Sequence, residues 1–225
     1  LPKQYAPFYQ YVRLPMENPV IIFGAGSLGL QALDIFQRND VLVYGFLDDE
    51  KEKLGSTVDN VAVLGDTDDG GYLKLIGPKC EAFVAIGERC VREQLVSMLN
   101  ERRKPMPVNA IHDTATVSKL AELGHGNLLA ARVVVGPQAR LGSHCVIQAG
   151  TIIEPLAQLG DFVDVGIGAC IGSRALIGEQ VFVGAGAVVV PGIRIGANAR
   201  VGAGSVVVEN VPDGATVFGN PAKRL

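Results

Sequence analysis

Counting by sixes from Ile111 lands on an aliphatic side chain at every step: Ile111, Val117, Leu123, Leu129, Val135, Leu141, Ile147, Ile153, Leu159, Val165, Ile171, Ile177, Val183, Val189, Ile195, Val201 and Val207. Neither an α-helix (period 3.6) nor a lone strand (period 2) repeats at six. A coil of short strands with tight corners does, because each step must point one large residue into a narrow tube. Two positions earlier a small or short side chain recurs, as at Ala139, Cys145, Thr151, Ala157, Ala169, Ala175, Ala187, Ala199 and Ser205. It fits beside the large one inside. Glycine often follows the aliphatic, as at Gly136, Gly166 and Gly184, and eases the corners. The register never slips between Ile111 and Val207, so no loop interrupts the coil.

The chain ahead of this repeat is built differently. Residues 1–18 carry Tyr5, Phe8, Tyr9 and Tyr11 among prolines, without a period, and read as a leading arm. Residues 19–106 alternate apolar runs with charged stretches, as α/β units do. The Pro105 and Pro107 pair marks the boundary, after which charge thins out and Gly, Ala and Val take over through residue 225.

Within 19–106, VIIFGAGSLG places a β-branched run before Gly24-Ala25-Gly26-Ser27-Leu28-Gly29. Helical spacing of Leu28, Leu30, Ala32, Leu33, Ile35 and Phe36 follows, then VLVYGFLDD, ending in Asp48 and Asp49. Strand, glycine turn, helix, strand and acid form a Rossmann-like arrangement. Its turn amides and helix N-terminus cradle phosphate, and its acid can bind a ribose hydroxyl. Two further βα units are expected, with strands at 61–65 and 82–87 and a helix over 88–100. About ninety residues is half the usual fold, which suits a nucleoside diphosphate better than a whole dinucleotide.

Bulk properties narrow the function. Lys and Arg number 20 against 23 Asp and Glu, a net charge of −3, so no basic excess grips a phosphate backbone and nucleic acid is not an expected partner. No run of eighteen apolar residues and no signal-peptide pattern is present, so no membrane association is expected. Cys80, Cys90, Cys145 and Cys170 have no C-x-x-C spacing; neither zinc nor a disulfide framework is suggested, and a reducing cytoplasm is the expected setting. No His/Cys/Asp cluster has metal-ligand spacing.

FGAGSLG, GFLDD, VAVLGD, AIGE, IHDTATVS at the start of the repeat and the closing GNPAKRL together resemble the bacterial acetyltransferases that act on nucleotide-linked amino sugars or on sialic acid. The resemblance covers about residues 19–225. It implies a Rossmann-like α/β domain followed by a left-handed parallel β-helix of nearly six coils, three hexads to a coil. It also implies a homotrimer, with acetyl-CoA as co-substrate in the groove between neighbouring β-helices and a nucleotide sugar held by the front domain. Carried over residue by residue, Gly24, Gly26, Ser27, Leu28, Asp48 and Asp49 fall on the nucleotide-sugar site, and Asp164, Ala185 and Ala203 on the acetyl-CoA groove.

Two imidazoles of that family are replaced. Where it has Glu-His at the corner that supplies the general base, this chain has Glu154-Pro155, and its second histidine corresponds to Asp164. Proline has no titratable group, so Pro155 cannot serve. Asp164 is the best-placed substitute, although a carboxylate near pKa 4 is a weak base unless burial raises it. Glu154 and His144 read as solvated side chains and His112 as structural. His125, Ser143 and Asp161, eighteen apart, have the composition of a nucleophile triad, set against the ordinary polarity of corner columns. The expected activity is acetyl transfer to a sugar amine, which attacks a thioester more readily than a hydroxyl without a base. The alternatives are a non-catalytic trimeric binder on the same fold and a small NAD-binding oxidoreductase domain.

Overall fold

In the computed structural model, residues 9–10, 16–102 and 106–225 are described. The expected aromatic arm lies largely outside them. Two compact units form: one ends at Asp113, and the other comprises Thr114–Leu225 with the strand Tyr9–Gln10.

The first unit is a sheet of four parallel strands, Val20–Phe23, Val43–Leu47, Val61–Gly65 and Glu81–Val84, with Thr57–Val58 added antiparallel at one edge. In chain order the four lie 3-2-1-4, so the order reverses between the first strand and the fourth. Val20 to Phe23 are wholly buried, as a strand covered on both faces must be. Helix Ser27–Arg38 buries Leu28, Ala32, Leu33, Ile35 and Phe36, and Phe36 meets Phe83 edge-on at 5.6 Å. The third βα unit departs from expectation: its helix is one turn, Gly70–Leu73, with Asp69 accepting from the Gly71 and Tyr72 amides. Asp69 caps it, but its two opening glycines lower its propensity and Gly77-Pro78 follow shortly after. Helix Arg89–Arg102 follows the fourth strand.

The second unit is the left-handed β-helix. Two-residue strands stack in three parallel sheets, each residue paired with the one eighteen further on: Leu129 with Ile147, Val135 with Ile153, Leu141 with Leu159. From Leu123 to Val207 every aliphatic of the period is buried, and the small residues two positions before lie wholly inside beside them. The glycines after the aliphatics work differently from expectation. A Cβ at Gly166 would stand 2.5 Å from the Ala185 nitrogen, and one at Gly172 2.6 Å from that of Pro191. These positions are glycine because the next coil passes that closely. The left-handed backbone falls two residues later, on His144 (φ 59°), Leu156 (65°), Phe162 (55°) and Arg174 (58°) as well as on glycines.

Past Val207 the period breaks. Ile195 bridges to Val211 and Val201 pairs with Val217, each sixteen apart, so the last coil is two residues short. Lys223–Arg224 then lies antiparallel on Val217–Phe218, and Tyr9–Gln10 lies antiparallel on Glu122–Leu123. Both strands cover edges that would otherwise present unpaired amides.

Candidate functional site

The crevice at the reversal of strand order is where open α/β sheets bind ligands. Here the glycine turn after Val20–Phe23 forms one side, and Ala85–Glu88, after Glu81–Val84, forms the other. Gly24 sits at φ 105°, and a Cβ on it would stand 2.6 Å from Ile86 Cδ1 and 2.8 Å from the Ala85 carbonyl oxygen. No other residue fits there. Helix Ser27–Arg38 starts at Gly26 without a side-chain cap or an acid in its first turn, which leaves its first amides for an anion. Gly26 and Ser27 are exposed. Leu28 is buried in the core face of the helix, so it offers a ligand only its backbone.

Asp48 and Asp49 are engaged within the unit. Asp48, 7% exposed, accepts from the Ala25 amide (2.7 Å), the Glu50 amide (2.9 Å) and Lys53 Nζ (3.2 Å). Burial alone would raise its pKa, but the Ala25 and Glu50 amides and Lys53 together hold it below the ordinary carboxylate value. Asp48 therefore ties the glycine turn to the end of the second strand. Asp49 accepts from the Thr67 amide (2.8 Å) and hydroxyl (2.9 Å) and ties the second strand to the third. Lys53 and Thr67 carried no sequence signal. His112 lies 2.9 Å from Asp113 and 3.8 Å from Asp34, and Asn39 donates to the Ile111 carbonyl, so this segment is secured to the end of the first helix.

In the β-helix, Asp164 occupies the outward position of its strand between Val146 and Phe182 in register. That strand leads into the corner at Ile167. Ala185 and Ala203 stack above Ile167 in the same column, linked by Gly186 N–H to the Ile167 carbonyl and Gly204 N–H to that of Ala185. Both alanines are exposed. Pro155 stands at a different corner, stacked over Pro137 and under Ser173, with Leu156 N–H donating to the Pro137 carbonyl and Arg174 N–H to that of Pro155. Between Pro155 and Asp164 the chain runs along a whole side of the triangle and turns the corner at Asp161. A groove of about 390 Å³ beside the Pro155 corner is lined by Gln138, Arg140, Leu156, Gln158, Arg174 and Leu176.

The third corner holds His125, Ser143 and Asp161. Ser143 Oγ is 3.2 Å from His125 Nδ1 and accepts from the His125 amide at 3.3 Å. Asp161 accepts from the Ser143 amide at 2.7 Å. Each side chain thus caps the corner amide one coil below, as Asp213 also does for Ala197 at 3.0 Å. Burial lowers the His125 pKa against the pull of Asp161. His144 stacks on Phe162 at 5.0 Å and meets His125 edge-on. Among the described residues no group of three His, Cys, Asp or Glu is placed to hold a metal, and no helix is long and apolar enough to cross a membrane.

Residues 19–99 match the PglD N-terminal domain, and residues 174–208 match the bacterial transferase hexapeptide of six repeats. PerB from Caulobacter crescentus, solved with CoA and GDP-perosamine, is 29% identical, with 98% of this chain and 100% of that one covered and a TM-score of 0.84. That GDP-perosamine N-acetyltransferase is similarly matched in variants with one histidine replaced by alanine or asparagine. The acetyltransferase domain of PglB from Neisseria gonorrhoeae, solved with acetyl coenzyme A, is 28% identical over 92% of this chain and 99% of that one, at a TM-score of 0.83. No curated protein matches the sequence. The chain thus joins a PglD-type N-terminal domain to a bacterial transferase hexapeptide, and along nearly its whole length it is similar to these acetyltransferases.

Proposed function

We propose that this chain transfers the acetyl group of acetyl-CoA to the amino group of a nucleotide-linked sugar, as a homotrimer in a reducing cytoplasm. The observation that carries the reading is a glycine turn opening an uncapped helix, followed in the same chain by an uninterrupted β-helix, an order of domains shared along nearly the whole chain with acetyltransferases of sugar nucleotides. Gly24, Gly26, Ser27 and Leu28 offer backbone to the diphosphate, while Asp48 holds the turn in place and Asp49, bonded to Thr67, braces the strand end that carries Asp48. Asp164, Ala185 and Ala203 line the acetyl-CoA groove.

Pro155 and the Asp164 face lie on different sides of one prism. A site using both needs two chains, which supports assembly. So does the outward row Val134, Ile152 and Val188, 36–39% exposed on one flat sheet, an apolar stripe suited to burial against a sister copy. With proline at the base corner, the acceptor supplies its own nucleophilicity as a neutral amine. Backbone amides at the corners stabilise the tetrahedral oxyanion, and the proton leaves to solvent or to Asp164. The same proline favours a second reading, a trimeric sugar-nucleotide binder without catalysis.

A thiol-release assay with acetyl-CoA and a panel of UDP- and GDP-linked amino sugars separates the two. Release of CoA with at least one of them is expected. Tight sugar-nucleotide binding without release supports the binder and refutes the enzyme.

A further inference from the structure

We infer that Arg92 is the positioning residue of the nucleotide crevice, acting through the loop that forms its second side. The inference rests on the reading of that crevice as the sugar-nucleotide site. Arg92 is 1% exposed, and it shares its helix face with the buried Leu95, Val96 and Leu99. A charge is costly at such a place unless its hydrogen bonds return the loss, and an apolar side chain would pack the same face.

What the guanidinium holds is specific. Nη1 lies 2.8 Å from the Ile86 carbonyl oxygen and 3.4 Å from that of Gly87, the two residues leaving the fourth strand. Ile86 in turn places its Cδ1 against Gly24, where a Cβ would come within 2.6 Å of it. Arg92, Ile86 and Gly24 thus form a continuous contact from the last helix to the phosphate turn. The Ala85 amide, bonded to the Phe23 carbonyl at 2.8 Å, fixes the near end of the same loop.

The direction of those carbonyls matters to a ligand. Across a planar trans peptide, C=O and the following N–H point oppositely. Drawing the Ile86 and Gly87 carbonyls onto Arg92 turns the Gly87 and Glu88 amides away from it. Without the guanidinium, both peptides are free to rotate, and the loop relaxes off Gly24. Arg92 touches no ligand in this account. It keeps two facing segments of backbone at the spacing a nucleoside diphosphate requires.

The test is calorimetric binding of GDP, UDP and dTDP to full-length protein, wild type against Arg92→Met and Arg92→Lys. Wild type is expected to bind at least one diphosphate. Arg92→Met is expected to weaken that binding about tenfold or more, the scale of one lost charge-assisted hydrogen bond. Lysine keeps the charge, but its freely rotating ammonium does not fix the two carbonyl directions as the planar guanidinium does, so Arg92→Lys falls between the two. It carries the test if the methionine variant fails to fold. In steady state, KM for the sugar nucleotide rises while kcat and KM for acetyl-CoA stay within about twofold, a split that general loss of folded protein does not produce. Diphosphate binding within about twofold of wild type in the folded variants overturns the inference alone. Failure of wild type to bind any of the three overturns it together with the sugar-nucleotide reading.

Discussion

Placing an imidazole at the corner proposed here to be the family's general-base position gives a direct test of how the proposed transfer proceeds without one. The perturbation is Pro155→His. Releasing proline's fixed φ costs about 0.4–1 kcal/mol through the unfolded state. The variant also gains an amide that needs an acceptor. Ser173 stands one coil above in the same column, as Ser143 stands above His125, whose amide it accepts at 3.3 Å. The turn beyond is held independently by Leu156 N–H on the Pro137 carbonyl at 3.1 Å. The fold should therefore lose no more than about 1 kcal/mol. A general base is worth about 10²–10⁴ in rate, or about 2.7–5.4 kcal/mol of barrier. A hydroxyl acceptor should gain near the upper figure, and an amine near the lower. Thiol release followed from pH 6 to 9 should acquire an ascending limb near the ordinary imidazole pKa of about 6.5. A folded variant whose rates on both acceptors stay within about threefold of wild type would refute the assignment of that corner to the base.

Two further outcomes are expected. Gly166→Ala drives a Cβ to 2.5 Å from the Ala185 nitrogen and should cost about 2–4 kcal/mol by overpacking and strained ladder bonds, whereas Gly168→Ala, at φ 65° with open space around it, should cost about 1 kcal/mol; urea unfolding followed by circular dichroism checks the order. Because burial lowers the His125 pKa, the native state resists a proton that the unfolded chain takes up near pH 6.5. The stability this group contributes is full above about pH 6.5 and lost as pH falls toward its folded pKa, and His125→Asn should flatten that part of the urea-midpoint profile.

The β-helix was legible because its rule is geometric: one inward position per side, every side the same length, so the aliphatics from Leu123 to Val207 recur and are buried. What the period does not encode is less visible. Gly166 and Gly168 look alike in sequence, yet the first answers to the next coil and the second to backbone handedness. The short last coil follows from Val211 and Val217 entering the ladder sixteen residues on. In the front unit the glycine turn was readable. Asp48 was readable as the acid of the motif but not as the residue that binds the Ala25 amide, since that depends on where the second strand ends. Arg92 fell within the helix expected over 88–100, with nothing to set it apart as a charge. Its signal was its place at i in the i, i+3, i+4, i+7 stripe with Leu95, Val96 and Leu99. The His125–Ser143–Asp161 set shows the converse: a catalytic composition whose members cap one another's corners.

In the proposed reaction an amine acceptor attacks acetyl-CoA without an imidazole. The decisive measurement is product analysis by mass spectrometry and NMR after incubating the full chain with acetyl-CoA and matched nucleotide sugars, one bearing an amine and the other a hydroxyl at the same carbon. Acetylation of the amine alone, as an amide, is the predicted result. An acetyl ester formed at comparable rate, or neither product from any nucleotide sugar bound, would contradict it.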